Sequence, residues 1–180
     1  EFAENPEPRC PCILLLDTSG SMEGNSIEEL NQGLLAFREE IFNDSLAMKR
    51  VEIAIVTFGP VSVLQDFATA DMFRPRRMDA AGDTPLGNAV IRGLELLKKR
   101  KQILRDNGIK LFRPWIFLIT DGEPTDNWSH LPNIIREGEE NKSFSFFALG
   151  VRDAKFEILK QISVREPMKL SGVRFKEFFL

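Results

Sequence analysis

The 180-residue sequence predicts a doubly wound α/β fold, with a mostly parallel central sheet, one antiparallel edge strand and helices on both faces. Three observations carry that expectation. Short apolar runs at 12–16, 115–119 and 144–149 have the look of strands buried on both faces, as parallel strands are. Segments with apolar residues spaced three and four apart alternate with them. A Gly59-Pro60 turn joins two apolar stretches at 51–58 and 61–64, which reads as a hairpin supplying the antiparallel edge.

Taken in order, residues 1–9 read as a flexible leader. The first strand, Cys-Ile-Leu-Leu-Leu, runs into Asp17, and residues 17–25 are turn-forming by composition. Ser26 with Glu29 three residues on is a capping-box pattern. Ile27, Leu30, Leu34, Phe37 and Ile41 then mark one helix face. After the hairpin, residues 68–83 form a long loop. Thr84 is placed as N-cap and Pro85 as first residue of the next helix, whose buried face is Leu86, Val90, Gly93 and Leu97. That helix is expected to stop near Asn107-Gly108. The strand at 115–119 ends in Thr120-Asp121-Gly122. A helix near 129–141, a strand at 144–149, a helix at 153–163, a short strand at 168–170 and the start of a truncated helix at 175–180 complete a single domain over 1–180.

Fifteen Phe with no Tyr put nearly all the aromatic mass in purely apolar rings, which favours burial. The formal net charge of -3 gives no support to a nucleic-acid partner. Charge is uneven, with ten acids against two bases in residues 1–47 and thirteen bases against seven acids in 48–113. The basic run Lys98, Lys99, Arg100 and Lys101 reads as cations near a helix C-terminus, and Arg74, Arg76 and Arg77 as a solvated loop. The competing reading is a basic patch for an acidic partner. No stretch approaches about 18 consecutive apolar residues, so no membrane span is expected. Cys10 and Cys12 are too close for an unstrained disulfide and too few for zinc. Free thiols in a reducing, cytoplasmic setting are the expectation.

Two apolar strands each deliver an acid, Asp17 and Asp121, to the carboxyl edge of the sheet, where ligands of open α/β sheets bind. Two carboxylates placed together repel, and a cation between them relieves this. Ser19 and Ser21 are alternate hydroxyls on a turn that Gly20 allows to bend. Thr84 adds a third hydroxyl at a helix mouth. This is a hard-oxygen set suited to Mg2+, which takes about six such ligands, whereas zinc would want imidazole or thiolate.

Asp17-Thr18-Ser19-Gly20-Ser21 resembles the Asp-x-Ser-x-Ser signature of von Willebrand factor A domains. Thr84 in Gly-Asp-Thr-Pro-Leu-Gly and Asp121 in Thr-Asp-Gly-Glu-Pro-Thr-Asp are similar to that family's metal-binding threonine and second aspartate. The resemblance spans nearly the whole chain. It implies a Rossmann-like fold carrying a metal-ion-dependent adhesion site formed by Asp17, Ser19, Ser21, Thr84 and Asp121. It implies Mg2+ (or Mn2+ or Ca2+) and a protein partner that presents an acidic side chain to the metal, with no reaction catalysed. Within the family, the runs around Asp17 and Asp121 look like those of bacterial intracellular members encoded with tellurite-resistance and stress-response operons. Asp83 departs from the small or neutral residue many members carry there. With Glu123 and Trp128 it is placed at a partner-binding rim. The plainer readings are a solvated loop acid for Glu123, as for Asp126, simple packing for Trp128 and a surface helix-start residue for His130.

Three other readings compete. A phosphatase of the haloacid dehalogenase type also places an Asp after the first strand, but needs a second Asp two residues on, where this chain has Ser19. A serine hydrolase would need a base beside Ser19 or Ser21, and the Gly-x-Ser-x-Gly pattern is absent. The third alternative is the same fold with a vestigial site and purely structural contacts.

Overall fold

A computed structural model describes residues 2–175 and 177. Six strands, β1 (Cys10–Asp17), β2 (Val51–Phe58), β3 (Ser62–Thr69), β4 (Trp115–Thr120), β5 (Ser145–Gly150) and β6 (Met168–Lys169), form one sheet in the order β3-β2-β1-β4-β5-β6. Among the described residues only β2 and β3 pair antiparallel, so the expected single antiparallel edge is found. From β1 the chain builds outward to β2 and β3, then returns to the other side of β1 to build β4, β5 and β6. The strand order therefore reverses between β1 and β4, and the carboxyl ends of those two strands flank the crevice where such sheets bind ligands.

Among the described residues five α-helices cover the sheet: α1 (Asn25–Phe42), α2 (Ser45–Arg50), α3 (Leu86–Asp106), α4 (Leu131–Glu140) and α5 (Phe156–Ile162). Alternation along β1 sorts them between the two faces. Cys12, Leu14 and Leu16 pack with Ile27, Leu30, Leu34, Phe37 and Ile41 of α1. Ile13 and Leu15 pack with residues of α3, α4 and α5, among them Val90, Leu97, Ile135 and Leu159. All eight residues of β1 are buried, which is why that strand reads as a continuous apolar run. Each such Leu or Ile contributes roughly 1.5–3 kcal/mol by leaving water. The α1 face adds an aromatic cluster in which Phe37 meets Phe175 edge-on at 5.0 Å and Phe117 stacks on Phe147 at 5.2 Å. Rings without hydroxyls suit that dry interior. Among the described residues no helix is long and apolar enough to cross a membrane.

Several local expectations are corrected. The hairpin's return strand extends to Thr69. Register shifts beside Ile55 accommodate it, and Gln65 Nε2 donates to the Ile53 carbonyl at 3.0 Å. The Ser26–Glu29 capping box does not form, because α1 starts at Asn25 behind Gly24, whose φ is 88°. Glu29 instead accepts the Arg152 N–H at 2.9 Å. An unforeseen short helix, α2, follows Asp44, whose carboxylate accepts the Leu46 and Ala47 N–H groups at 3.0 Å each. The helix expected from Thr84 begins at Leu86, with no cap from its own side chains.

Residues 5–9 are tied down rather than forming a free leader: Asn5 Nδ2 donates to the Lys49 carbonyl at 2.9 Å, and Arg9 is 1% exposed. Arg100, read as a cation near a helix C-terminus, is buried with it against Glu52. Lys101 is half-buried and donates to the Ser143 carbonyl at 2.6 Å, and burial lowers its pKa, with Arg105 adding to the effect. The run at 98–101 is thus no continuous basic patch. Cys10 and Cys12 are free, buried thiols, and burial pushes Cys10 up to about 12. The expected last helix at 175–180 falls mostly outside the described residues.

Candidate metal centre

Asp17 closes β1 and Asp121 directly follows β4, so the parallel pairing of those strands brings both acids to one end of the crevice. Hydrogen bonds then order the hydroxyls between them. Ser19 Oγ donates to Asp17 Oδ1 at 2.5 Å, and the Ser19 N–H reaches the same oxygen at 3.0 Å. Ser19 and Ser21 Oγ atoms stand 3.1 Å apart, and the Ser21 hydroxyl makes a short hydrogen bond to Asp121 Oδ2. Thr120, not anticipated from the sequence, donates its hydroxyl to Asp17 Oδ2 at 2.6 Å. Asp121 Oδ1 accepts the Glu123 N–H at 3.1 Å. Four of the five expected ligands, Asp17, Ser19, Ser21 and Asp121, are therefore gathered as two hydrogen-bonded pairs in contact through their serine oxygens.

Thr84 lies on the neighbouring loop. Its hydroxyl makes no hydrogen bond to those four. Its N–H donates to Thr125 Oγ1 and its carbonyl accepts the Thr125 N–H, both at 2.9 Å. The loop before it is bridged to the Ser19 turn: the Gly20 N–H donates to the Gly82 carbonyl and the Ala81 N–H to the Thr18 carbonyl, both at 2.8 Å. Gly82 adopts φ 81°, and a Cβ there would come 2.9 Å from the Gly59 carbonyl oxygen, so this approach needs glycine. Asp126, expected to be solvated, turns back to accept the Gly87 and Asn88 N–H groups of α3 at 2.9 Å each. Asp83 and Glu123 are exposed, while Trp128 is half-buried and packs on the core beneath α4. His130 is exposed at the start of α4.

Asp17 and Ser19 are fully buried, Thr84 and Asp121 nearly so, and Ser21 is exposed. Burial raises the Asp17 pKa above its ordinary 3.8. Hydrogen bonds from Ser19 and Thr120 oppose the rise, and repulsion from Asp121 adds to it. The folded chain thus holds that proton more tightly than the unfolded one. The stability this contributes is complete below 3.8 and is lost as pH rises through the raised value. A bound cation reverses the preference by favouring the ionised carboxylate. Mg2+ should accordingly raise the melting temperature more at about pH 7 than at about pH 5. Melts with and without Mg2+ at both pH values test this, and an equal gain at both would contradict it.

The donor set fits a hard cation. Among the described residues no group of three or more His, Cys, Asp or Glu gathers, so hydroxyls must complete the two carboxylates. Ser19 and Ser21 spend their protons on Asp17 and Asp121, which leaves hydroxyl lone pairs to bind a metal. Their 3.1 Å separation is close to the edge of about 3 Å expected for neighbouring ligands around Mg2+.

The sequence profile of the von Willebrand factor type A domain matches residues 12–176. The chain belongs to that family. Among curated relatives, inter-alpha-trypsin inhibitor heavy chain H1 of Mesocricetus auratus is 26% identical over 167 residues, covering 84% of this chain and 17% of that protein. Heavy chain 4 of Mus musculus is 26% identical over 168 residues, with the same coverage. This von Willebrand factor type A domain thus spans less than a fifth of the length of those relatives. Its fold is shared by the vWF domain of the type V pili tip protein Mfa5 from Porphyromonas gingivalis. That domain has a TM-score of 0.63 at 11% identity, with 93% of this chain and 92% of that one covered. It is also shared by the manganese-loaded TRAP protein of Plasmodium vivax, with a TM-score of 0.58 at 17% identity, covering 86% and 62%.

Proposed function

We propose that this von Willebrand factor type A domain binds a partner protein by holding one divalent cation, Mg2+ with Mn2+ or Ca2+ as substitutes, between Asp17, Ser19, Ser21, Thr84 and Asp121. The observation that carries the reading is the meeting of two hydrogen-bonded pairs, Ser19 with Asp17 and Ser21 with Asp121, whose hydroxyl oxygens stand 3.1 Å apart at the β1/β4 switch point, buried at Asp17 and open to solvent at Ser21. A metal bound there supplies a positive charge that a partner's carboxylate can ligate. Ser19 and Ser21 offer lone pairs in a preset direction, Asp17 and Asp121 balance the charge, and Asp83 and Glu123 lie exposed on the flanking loops to select among partners. The manganese named in the TRAP structure is consistent with this reading of the fold.

The module is read as non-enzymatic: Ser19 stands where a phosphatase would need its second Asp. A bacterial, cytoplasmic stress-response setting of the tellurite-resistance type rests on the resemblance of the runs around Asp17 and Asp121. Chelation followed by titration with Mn2+ tests the reading, with water proton relaxation as the readout. Bound Mn2+ should retain inner-sphere water, and added acetate should displace part of it. A relaxation signal indifferent to acetate would argue against a carboxylate ligand, and no saturable Mn2+ binding would argue against the site itself.

A further inference from the structure

We infer that Thr125 and Asp126 are positioning residues that clamp the Thr84 loop and the start of α3 against the loop carrying Asp121. Three contacts converge on this. Helix α3, 21 residues long, has Pro85 at its N-cap, no capping bond of its own and no acid in its first turn. Asp126 supplies the missing acceptor from another loop, taking the Gly87 and Asn88 N–H groups at 2.9 Å each. Thr125 bridges Thr84 reciprocally, its Oγ1 accepting the Thr84 N–H and its own N–H donating to the Thr84 carbonyl. The two loops also approach so closely that a Cβ on Gly87 would lie 2.4 Å from the Asn127 carbonyl oxygen and 3.2 Å from Asp126 Oδ2. Gly87 is therefore required by this junction, although alanine is ordinarily the better helix former.

The consequence is a second link between the Thr84 loop and the rest of the site, added to the Gly20–Gly82 and Ala81–Thr18 bonds that tie residues 81 and 82 to the Ser19 turn. Asp121 accepts from Ser21, whose oxygen stands 3.1 Å from that of the Asp17-bound Ser19, whereas the Thr84 hydroxyl makes no hydrogen bond to any of the four. Thr125 and Asp126, four and five residues after Asp121, are what tie Thr84 and the start of α3 directly to the loop of that acid. The clamp works without metal, so its loss changes the geometry of Thr84 first and cation affinity second.

The metal readout of the test rests on the function proposed above, and the amide readout does not. Mn2+ affinity would be measured by electron paramagnetic resonance for the wild-type chain and for Asp126→Ala, Asp126→Asn, Thr125→Val, Thr125→Ser and Gly87→Ala. Hydrogen exchange at Thr84, Gly87 and Asn88 would be followed in metal-free protein. Asp126→Ala, Thr125→Val and Gly87→Ala should speed exchange at those amides and raise the Mn2+ dissociation constant about ten- to hundred-fold. Thr125→Ser, which keeps the hydroxyl, should stay near wild type, and Asp126→Asn should fall between. Unchanged exchange at Thr84 in Asp126→Ala would overturn the clamp. So would faster exchange with Mn2+ affinity within about two-fold of wild type, since the contacts would then serve α3 alone. If the wild-type chain bound no Mn2+, the metal reading would fail separately, and exchange at Thr84 would decide the clamp.

Discussion

Replacing Glu52 with Ala should lower stability by about 3–5 kcal/mol, a fall in melting temperature of roughly 6–20 °C for a domain of this size. Glu52 is fully buried in β2, between Arg9 and Arg100. Arg9 Nε lies 3.3 Å from Oε2, while Arg100 reaches Oε1 through Nε at 2.8 Å and Oε2 through Nη2 at 2.5 Å. Arg9 also donates through Nη1 and Nη2 to the Glu7 and Asn5 carbonyls at 2.5 and 2.8 Å. Deleting the carboxylate removes the negative charge that both buried guanidinium groups face in β2, which costs more than the net worth of the pairs. Glu52→Gln should lose less, because one carbonyl oxygen still accepts. Urea unfolding of both variants measures the difference, and a loss below about 1 kcal/mol for Glu52→Ala would show that water relieves the arginines. In register Glu52 pairs with Pro11 while Asp17 pairs with Phe58, so the triad lies about 20 Å along the strands from the candidate metal centre. Folded Glu52→Ala protein should therefore keep its response to Mg2+.

That triad marks the boundary of what could be read from residues alone. Strands β1 and β4 were legible because burial on both faces writes itself into local sequence as Leu-Leu-Leu or Ile-Phe-Leu-Ile. The carboxylates and hydroxyls of the site were legible for a related reason: a strand end and a Gly-bearing turn fix where Asp17, Ser19, Ser21 and Asp121 must stand. Arg9, Glu52 and Arg100 carry no such local mark. Glu52 is separated by 43 and 48 residues from its partners, and each of the three alone reads as a solvated charge. The cap of α3 failed the same way. Its acceptor, Asp126, lies 39 residues beyond Gly87, and nothing in the local Thr84-Pro85 pattern announces it. Thr120 is the exception: adjacent to Asp121 at the end of a buried strand, it could have been recognised as a partner for Asp17 from the strand register.

Asp121→Ala should abolish stabilisation by divalent metal while leaving the fold intact. At a Mg2+ concentration about a hundred times its dissociation constant, a ligand bound only by the folded state adds about 2.7 kcal/mol, or roughly 5–11 °C. Asp121 carries one of the two carboxylates of the donor set, and its Oδ2 orients the Ser21 hydroxyl. Its removal therefore deletes a ligand and frees the direction of a second. The fold has little to lose, because Asp121 lies just beyond the end of β4 and its carboxylate raises the pKa of the buried Asp17. In metal-free buffer the variant should melt close to the wild-type chain, since removing that repulsion offsets the lost hydrogen bonds from Ser21 and Glu123. The informative quantity is thus the difference between melts in Mg2+ and in EDTA. Manganese and calcium serve as further arms, because Ca2+ tolerates more ligands and longer bonds than this compact set provides. A wild-type chain that melts identically in EDTA and saturating Mg2+ would point to a vestigial site. A gain that survives in Asp121→Ala would place the cation elsewhere. A gain present in the wild type and absent in the variant would tie the metal to the cluster of Asp17, Ser19, Ser21 and Asp121, and so to the surface at Ser21 where a partner's carboxylate can reach it.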